Sequence, residues 1–188
     1  SDIAVKAINK LINEYDIVYL GNYMPLITGG AGFTVRWKQL TLTTFFHGRF
    51  GQKIINATRM NNEAMYSQSN QSRATLRRWQ KEGDITDIPR ALYREGYNYL
   101  GSDRFVEDAS YVRLKTLSLA YALPKKVCQH WGLNSMSVFV TGYNLFTWTK
   151  YTGQDPEVSI PSSATKLAQD NANTPCTIQF SCGLNLSF

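Results

Sequence analysis

The sequence predicts an all-β protein whose antiparallel strands belong to a transmembrane β-barrel with long loops at one end. Three observations lead to this fold class. The last segment of the chain alternates apolar and polar residues without a break, which is typical of a strand with two different faces. The connections between β-rich segments alternate between short and long. No run of about 18 apolar residues exists, so a membrane-spanning helix is not predicted.

The clearest strand covers residues 177–188, TIQFSCGLNLSF. A helix would scatter this period-two pattern around its circumference, whereas a strand places alternate residues on one face. The length suits a tilted membrane strand. The apolar face is predicted to contain Ile178, Phe180, Cys182, Leu184, Leu186 and Phe188.

Four further strands are predicted upstream, at 30–37, 40–50, 110–123 and 136–147, from their content of β-branched and aromatic residues. The first two are separated only by Lys38 and Gln39, which predicts a tight hairpin. The 136–147 segment alternates less regularly than the others.

The 110–123 segment has a mixed face under strict alternation. Its first part is polar and its second part apolar, so we expect a strand that runs from a wet rim into hydrocarbon. The residues predicted to share this face are Tyr111, Arg113, Lys115, Leu117, Leu119, Tyr121 and Leu123.

The connections differ strongly in length. The 38–39 turn is very short and 124–135 is moderate, whereas 52–104 and 148–173 are long and polar. Structureless loops of that length are uncommon in compact soluble domains. Short turns that alternate with long loops are instead the pattern of bacterial barrels, in which the long loops are extracellular.

Residues 1–28 are predicted to be an extracellular loop with a short helix, and 29–188 to be the barrel strands and their loops. Asp2 is a suitable helix cap, and Ile3, Ala7, Leu11 and Tyr15 form an apolar stripe behind it. A second short helix is expected around 72–80.

The charge, cysteine and histidine content of the sequence predicts no nucleic-acid, metal or cofactor ligand. The formal charge is +6, which we interpret as a dispersed basic surface, and no nucleic-acid partner is predicted. The three cysteines are expected to be packing residues. Two histidines without a metal-binding spacing predict neither a metal nor another cofactor. The densest basic cluster comprises Arg73, Arg77, Arg78 and Lys81.

Four stretches of the sequence resemble the SusC/RagA family of TonB-linked outer-membrane proteins of Bacteroidetes. They occur in the family's order and cover roughly residues 18–188. The stretches are LTLTTFFHGRFGQKIINAT at 40–58; Arg78-Trp79 with DIPRA at 87–91; FVEDASYVRLK at 105–115 with LAYALP at 119–124; and GYNLFTW at 142–148 with Tyr151, Gly153, Asp155, Pro156 and Glu157.

The resemblance implies that this chain is the C-terminal portion of a 22-stranded barrel in the cell outer membrane, in contact with its lipid. It implies energy-coupled import of oligosaccharides or peptides with a SusD-like lipoprotein. The TonB complex would act through N-terminal parts that lie outside this sequence. Phe188 resembles the terminal aromatic residue that serves as a barrel assembly signal.

No enzyme activity and no catalytic residue are predicted. Glu107 and Asp108, and Asp155 and Glu157, are carboxylate pairs of the kind that glycosidases use. Glu107 and Asp108 are adjacent, however, and adjacent residues of a strand point to opposite faces. The resemblance to the SusC/RagA motif places both pairs in rim or turn segments, so we expect these carboxylates to cap turns or to be solvated at the rim. The serines and histidines do not occur in a nucleophile-elbow pattern.

Ligand contacts are not determined by the sequence. The weak candidates are the aromatic residues Tyr97, Tyr99, Trp148 and Tyr151 in predicted loops, which can stack on sugars. Interfacial anchoring and loop packing explain them equally well. Two other functions stay open: a soluble carbohydrate-binding β-sandwich module, and an outer-membrane adhesin barrel that does not transport.

Overall fold

The computed structural model describes residues 19–94, 102–157 and 168–188. Its main element is a five-stranded antiparallel sheet in which each strand pairs with the next one along the chain. A second, two-stranded sheet joins two short strands from the connection between the second and third long strands. The main sheet contains β1 (Ile27–Trp37), β2 (Leu40–Phe50), β5 (Tyr111–Ala122), β6 (Ser135–Thr149) and β7 (Gln179–Ser187), and the small sheet contains β3 (Lys53–Ile55) and β4 (Val106–Asp108).

All five predicted long strands are present, and the predicted all-β class is confirmed. The 52–104 connection is not structureless, however. It contains β3, the helix α1 (Ala57–Asn62) and a 3-10 helix over Arg73–Arg77, the last lying inside the helix expected at 72–80. A further short helix, α2 (Lys125–His130), lies between β5 and β6. The helix expected near the N-terminus lies outside the described residues.

The short connections meet at one end of the sheet, which we call the short-turn end (residues 36–39, 123–134 and Phe188). Lys38 has a φ of 54° in the hairpin between β1 and β2. Backbone hydrogen bonds link the Ala122 amide to the Gln39 carbonyl at 2.8 Å and the Asn134 amide to the Ser187 carbonyl at 2.8 Å. The long connections lie at the opposite, long-loop end, as the alternation of connection lengths predicts.

Strand register divides the sheet into an apolar face and a polar face. On the apolar face, the rings of Phe33 and Phe46 stack with centroids 6.3 Å apart, and Trp148 follows 6.4 Å from Phe46. On the polar face, Thr34 and Thr43 share a hydrogen bond of 3.3 Å. Large exposed side chains of the apolar face include Phe33, Val35, Trp37, Leu119, Tyr121, Val138, Val140, Phe180, Leu184 and Leu186.

A β-bulge at Lys115 corrects the predicted faces of β5. The register shifts between Leu114 and Thr116 against both neighbouring strands. Arg113, Lys115 and Thr116 therefore lie on the polar side, and Leu117 begins an apolar row together with Leu119 and Tyr121. A β-bulge inserts an extra residue and reverses the alternation beyond it. The charged residues before the bulge and the apolar residues after it, which strict alternation placed on one face, therefore lie on opposite faces of the sheet.

The five-stranded sheet is open. Within the described residues, β1 and β7 each pair on one side only. None of the helices in the described part of the chain is long and apolar enough to cross a membrane. An unpaired edge strand exposes a row of backbone donors and acceptors, which proteins normally pair or cover.

Candidate functional site

The long connections fold together above the sheet into a compact unit, which we call the loop layer (β3, β4, α1 and residues 149–157 and 168–176). The Ile55 amide donates to the Ala168 carbonyl at 3.0 Å, and the Asp170 amide donates to the Ile55 carbonyl at 2.9 Å. A small apolar core lies behind these bonds. Its buried residues are Ile54, Ala109, Tyr151 and Ala168, with Tyr23 packed against them.

Arg113 attaches the loop layer to the sheet. Its guanidinium donates to Asp155 at 2.6 Å and to Glu157 at 2.6 Å, while its Nε donates to the Thr147 hydroxyl at 2.8 Å. The side chains of Arg113 and Asp155 are only 4% and 3% exposed. The ammonium group of Lys115, which the bulge directs to the same side, donates to Glu157 at 2.8 Å.

Asp155 is held ionised by its surroundings. Burial alone raises the pKa of this carboxyl, but donors from Arg113 and from the amides of Cys176 and Glu157 outweigh burial and hold the pKa below its ordinary value. The amide hydrogen bonds from Cys176 and Glu157 are both 2.9 Å long. The carboxylate therefore closes a turn in the 155–157 segment and also receives Arg113.

A second charge cluster lies between α1 and β4. Arg59 donates to Glu63 at 3.0 Å and to Glu107 at 3.2 Å. Arg104 also pairs with Glu63, whose side chain is 4% exposed. Burial raises the pKa of Glu107, but the amide and hydroxyl of Thr152, together with Arg59, outweigh burial and lower that pKa overall.

A cavity of about 590 Å³ opens beside this second cluster. Ten of its thirteen lining residues have polar side chains, and none is aromatic. Amide, hydroxyl and guanidinium groups of this kind bind by hydrogen bonding. Within the described residues, no group of histidine, cysteine and carboxylate side chains has a metal-binding arrangement. The lining residues are Asn56, Thr58, Arg59, Asn62, Glu63, Ser72, Ala74, Arg77, Thr152, Gly153, Gln154, Asp170 and Ala172.

Of the four weak candidates for ligand contacts, the two that the structure describes, Trp148 and Tyr151, lie in different parts of the fold. Tyr97 and Tyr99 lie outside the described residues. Trp148 lies on the apolar face, 54% exposed, with its ring 6.2 Å from that of Phe146 and 6.4 Å from that of Phe46. This position is on the side of the sheet opposite to the charged side chains, and Trp148 does not line the cavity.

Tyr151 is a buried residue of the loop layer, and its hydroxyl donates to Asp170 at 2.6 Å. Burial and this bond raise the pKa of Tyr151, and the ring does not line the cavity. Phe188, the predicted assembly signal, is 84% exposed and follows β7 at the short-turn end. Its role stays a prediction.

The carboxylates show where sequence reasoning was right and where it was incomplete. Asp108 accepts from the amide and hydroxyl of Ser110 at 2.9 and 2.6 Å, so it caps a turn as expected. Asp155 also caps a turn, but it is buried and not solvated at a rim. Its pairing with Arg113 was missed, because 42 residues separate the two partners. A signal existed, since both lie in the stretches that resemble the SusC/RagA family.

Comparisons with known proteins agree with this fold. TonB-dependent receptor P3 of Formosa agariphila is 32% identical over 96% of this chain and 18% of its own length. TonB-dependent receptor P26 of the same organism is 31% identical over 79% of this chain and 15% of its own length. The chain thus spans less than a fifth of these relatives. No family model matches the sequence.

Among solved structures, the RagAB peptide importer in its closed-closed state superposes with a TM-score of 0.75 at 30% identity. The match covers 88% of this chain and 18% of that chain. The open-open state gives a TM-score of 0.73. The open sheet is therefore a section of a larger barrel, and the outer-membrane location is confirmed. The chain belongs to the TonB-dependent outer-membrane receptors of the SusC/RagA type.

Proposed function

We propose that this chain forms the C-terminal wall and part of the extracellular loops of a TonB-dependent importer of oligomeric nutrients, glycans or peptides. The observation that carries the proposal is the open sheet with one exposed apolar face, matched to the RagAB peptide importer over 88% of the chain. Five strands cannot close a barrel, and an open edge is not tolerated in lipid. Strands from the rest of the receptor would therefore pair with β1 and β7.

The polarity of the sheet supports this placement. An apolar face rich in Phe, Leu and Val suits hydrocarbon. The other face suits a barrel interior, since it carries Thr, Ser, Gly and Asn side chains together with the aromatic residues Phe45, Phe139 and Tyr143. Ser118 and Thr141 illustrate the interior face, since their hydroxyls share a 2.8 Å hydrogen bond across β5 and β6. The long-loop end would then be extracellular and the short-turn end periplasmic, with residues 1–28 as a further extracellular loop and 29–188 as the wall and its loops.

The loop layer is the part of this chain that we assign to contact with cargo or with a SusD-like lipoprotein lid. Its cavity is lined by hydrogen-bonding groups, which suit the hydroxyls of a glycan and the amides of a peptide equally. The ion pairs of the two charge clusters fix the conformation of the loop layer. The TonB complex would engage the receptor outside this chain.

The same charges argue against an enzyme. Glu107 is hydrogen-bonded to Thr152, Asn56 and Arg59, and Asp155 to Arg113 and two amides. A general acid or base needs a pKa near the working pH. The lowered pKa values of Glu107 and Asp155 suit permanent ion pairs.

The structure also bears on the two alternative functions. A soluble β-sandwich covers the inner faces of both its sheets, whereas here the apolar face carries exposed residues such as Phe180 (73%) and Trp37 (66%). A non-transporting adhesin barrel would share the wall, so only the activity of the whole receptor separates it from an importer.

The test uses the source cells. An antibody against the exposed segment 80–87 is used to probe outer-membrane fractions, both heated and unheated. We expect a band several times larger than 21.3 kDa that shifts on heating. Deleting the gene should abolish growth on one class of oligomer, and glycan and peptide sources are supplied in parallel. A soluble, heat-insensitive band near 21.3 kDa would refute the proposal, and unchanged growth on every oligomer would favour the adhesin.

A further inference from the structure

The short-turn end combines positive charge with exposed aromatic residues, and neither feature has a use within the fold described above. Residues 34–41, 119–138 and 183–188 contain no aspartate or glutamate. The same segments contain four basic side chains, which are Arg36, Lys38, Lys125 and Lys126. None of the four has an ion pair with a carboxylate in the described part of the chain.

Lys38 lies on the membrane side of this end. It occupies the hairpin between β1 and β2, and its ammonium nitrogen is 5.1 Å from the ring centroid of Trp37. Trp37 belongs to the apolar face and is 66% exposed. An ammonium group beside an exposed tryptophan at the edge of an apolar band matches the interfacial zone of a bilayer, where both residue types are enriched.

Helix α2 lies at the same end of the sheet, in the connection between β5 and β6. Cys128 is its buried contact with the protein, and the Cys128 thiol points to the Leu123 carbonyl at 3.8 Å. Val127 and Trp131, four residues apart and hence on one side of the helix, are 41% and 60% exposed. Lys125 and Lys126 precede them. An apolar pair with adjoining lysines is the arrangement of an interfacial amphipathic segment.

The β1–β2 hairpin and the connection that leads from β5 into α2 are adjacent. The hydrogen bond between the Ala122 amide and the Gln39 carbonyl places the β1–β2 hairpin against the start of the α2 connection. Lys38, Lys125 and Lys126 therefore lie at the same end of the sheet, and we call the exposed residues there the basic rim (Trp37, Lys38, Lys125, Lys126, Val127 and Trp131). Clustered basic residues just outside hydrocarbon attract anionic lipid headgroups.

We infer that the basic rim binds anionic phospholipid headgroups of the membrane leaflet at the short-turn end. The phosphate would be held by the lysines, and the acyl chains would lie against Trp37, Val127 and Trp131. The inference uses the membrane placement of the sheet and does not depend on what the receptor imports.

The test uses the full-length receptor that contains this segment, reconstituted in nanodiscs of phosphatidylcholine with a minority of phosphatidylglycerol. Native mass spectrometry of the released protein measures the ratio of the two lipids that stay bound. The test variant combines Lys38→Asn, Lys125→Gln and Lys126→Gln, and asparagine is chosen because it tolerates the positive φ at position 38. Changing all three lysines to arginine keeps the charge.

The matched control combines Arg73→Gln, Lys81→Gln and Lys150→Gln, which removes three exposed cations away from the short-turn end. We expect the test variant to lose phosphatidylglycerol preference at least about fivefold, and the control and arginine variants to keep it. High salt should weaken the wild-type preference. Unchanged preference in the test variant, or equal loss in the control, would overturn the inference.

Two readouts keep this inference separate from the proposed function. Heat-shifted migration reports barrel formation, and uptake reports import. Normal migration and uptake with no lipid preference would refute the lipid site alone. A wild-type receptor that forms no barrel would refute both.

Discussion

The two ends of the sheet place basic side chains in opposite surroundings. At the long-loop end, Arg113, Lys115, Arg59 and Arg104 each contact a carboxylate, and several partners are nearly buried. At the short-turn end, the lysines are exposed and no aspartate or glutamate lies in the same segments. The ion pairs at the first end connect segments of the chain to each other, whereas the lysines at the second end have no ion pair within the described residues.

The difference follows from what each end must order. The loop layer consists of long connections with a small apolar core, so buried ion pairs and amide hydrogen bonds fix its shape. Removing one partner of a buried pair is costly, because the other charge stays behind without compensation. The short turns are ordered by the strands that they join, and their side chains need no partner within the chain.

The largest expected effect is that of Arg113→Ala. The substitution leaves Asp155 buried and unpaired, which should destabilise the loop layer by about 3–5 kcal/mol. Hydrogen exchange of residues 150–157 in the intact receptor measures the loss. Arg113→Lys serves as the control, since it keeps the charge and should lose less. Wild-type protection in Arg113→Ala would show that the cluster does not hold the layer.

Acid should also open the loop layer. The pKa values of Asp155, Glu107 and Asp108 are lowered in the folded state, so their stabilisation is fully present above the unfolded value of about 4. It is lost as the pH falls through the lower, folded values. Exchange protection of the Thr152 and Cys176 amides should decrease below about pH 4, while that of the short-turn end, which contains no aspartate or glutamate, stays constant. Equal losses at both ends would contradict the comparison.

A smaller loss is expected for Tyr151→Phe. The change removes the 2.6 Å hydrogen bond to Asp170 and leaves that buried carboxylate with one donor fewer. The expected cost to the loop layer is about 1–3 kcal/mol, measured by the same exchange experiment. Trp148→Phe is the comparison variant from the exposed apolar face and should leave the layer unchanged. A similar effect of both substitutions would mean that the bond to Asp170 is not what matters.

The smallest effect should come from the short-turn end. Lys125→Gln with Lys126→Gln removes two exposed charges without a partner. The free energy of unfolding of the receptor, followed by its thermal unfolding in detergent, should therefore change by less than about 0.5 kcal/mol. A Tm that drops as far as in Arg113→Ala would show that these lysines have a structural partner.

Much of the fold was predictable because strand patterns are local. The alternation at 177–188, the two-residue hairpin at Lys38 and the order of short and long connections needed only neighbouring residues. The faces of β5 were not predictable from alternation, since the bulge at Lys115 appears only when the register against β2 and β6 is known.

The candidate site was predicted less well. The sequence predicts loops at 52–104 and 148–173 and leaves the role of their aromatic residues open between ligand contact, interfacial anchoring and loop packing. In the structure, Tyr151 is a buried residue of the loop layer and Trp148 belongs to the apolar face. The pairing of Arg113 with Asp155 joins positions far apart in the chain, and no local pattern specifies such a contact.

The sequence by itself determined the strands, their apolar and polar residues and the family to which the chain belongs, because period-two alternation and short motifs are properties of adjacent residues. Only the tertiary structure decided which charges neutralise each other. Ion pairing depends on distances of a few ångströms between segments that are far apart in the sequence. The pairing of Arg113 and Lys115 with their carboxylates, and the exposed lysines at the other end of the sheet, are therefore visible only in the structure.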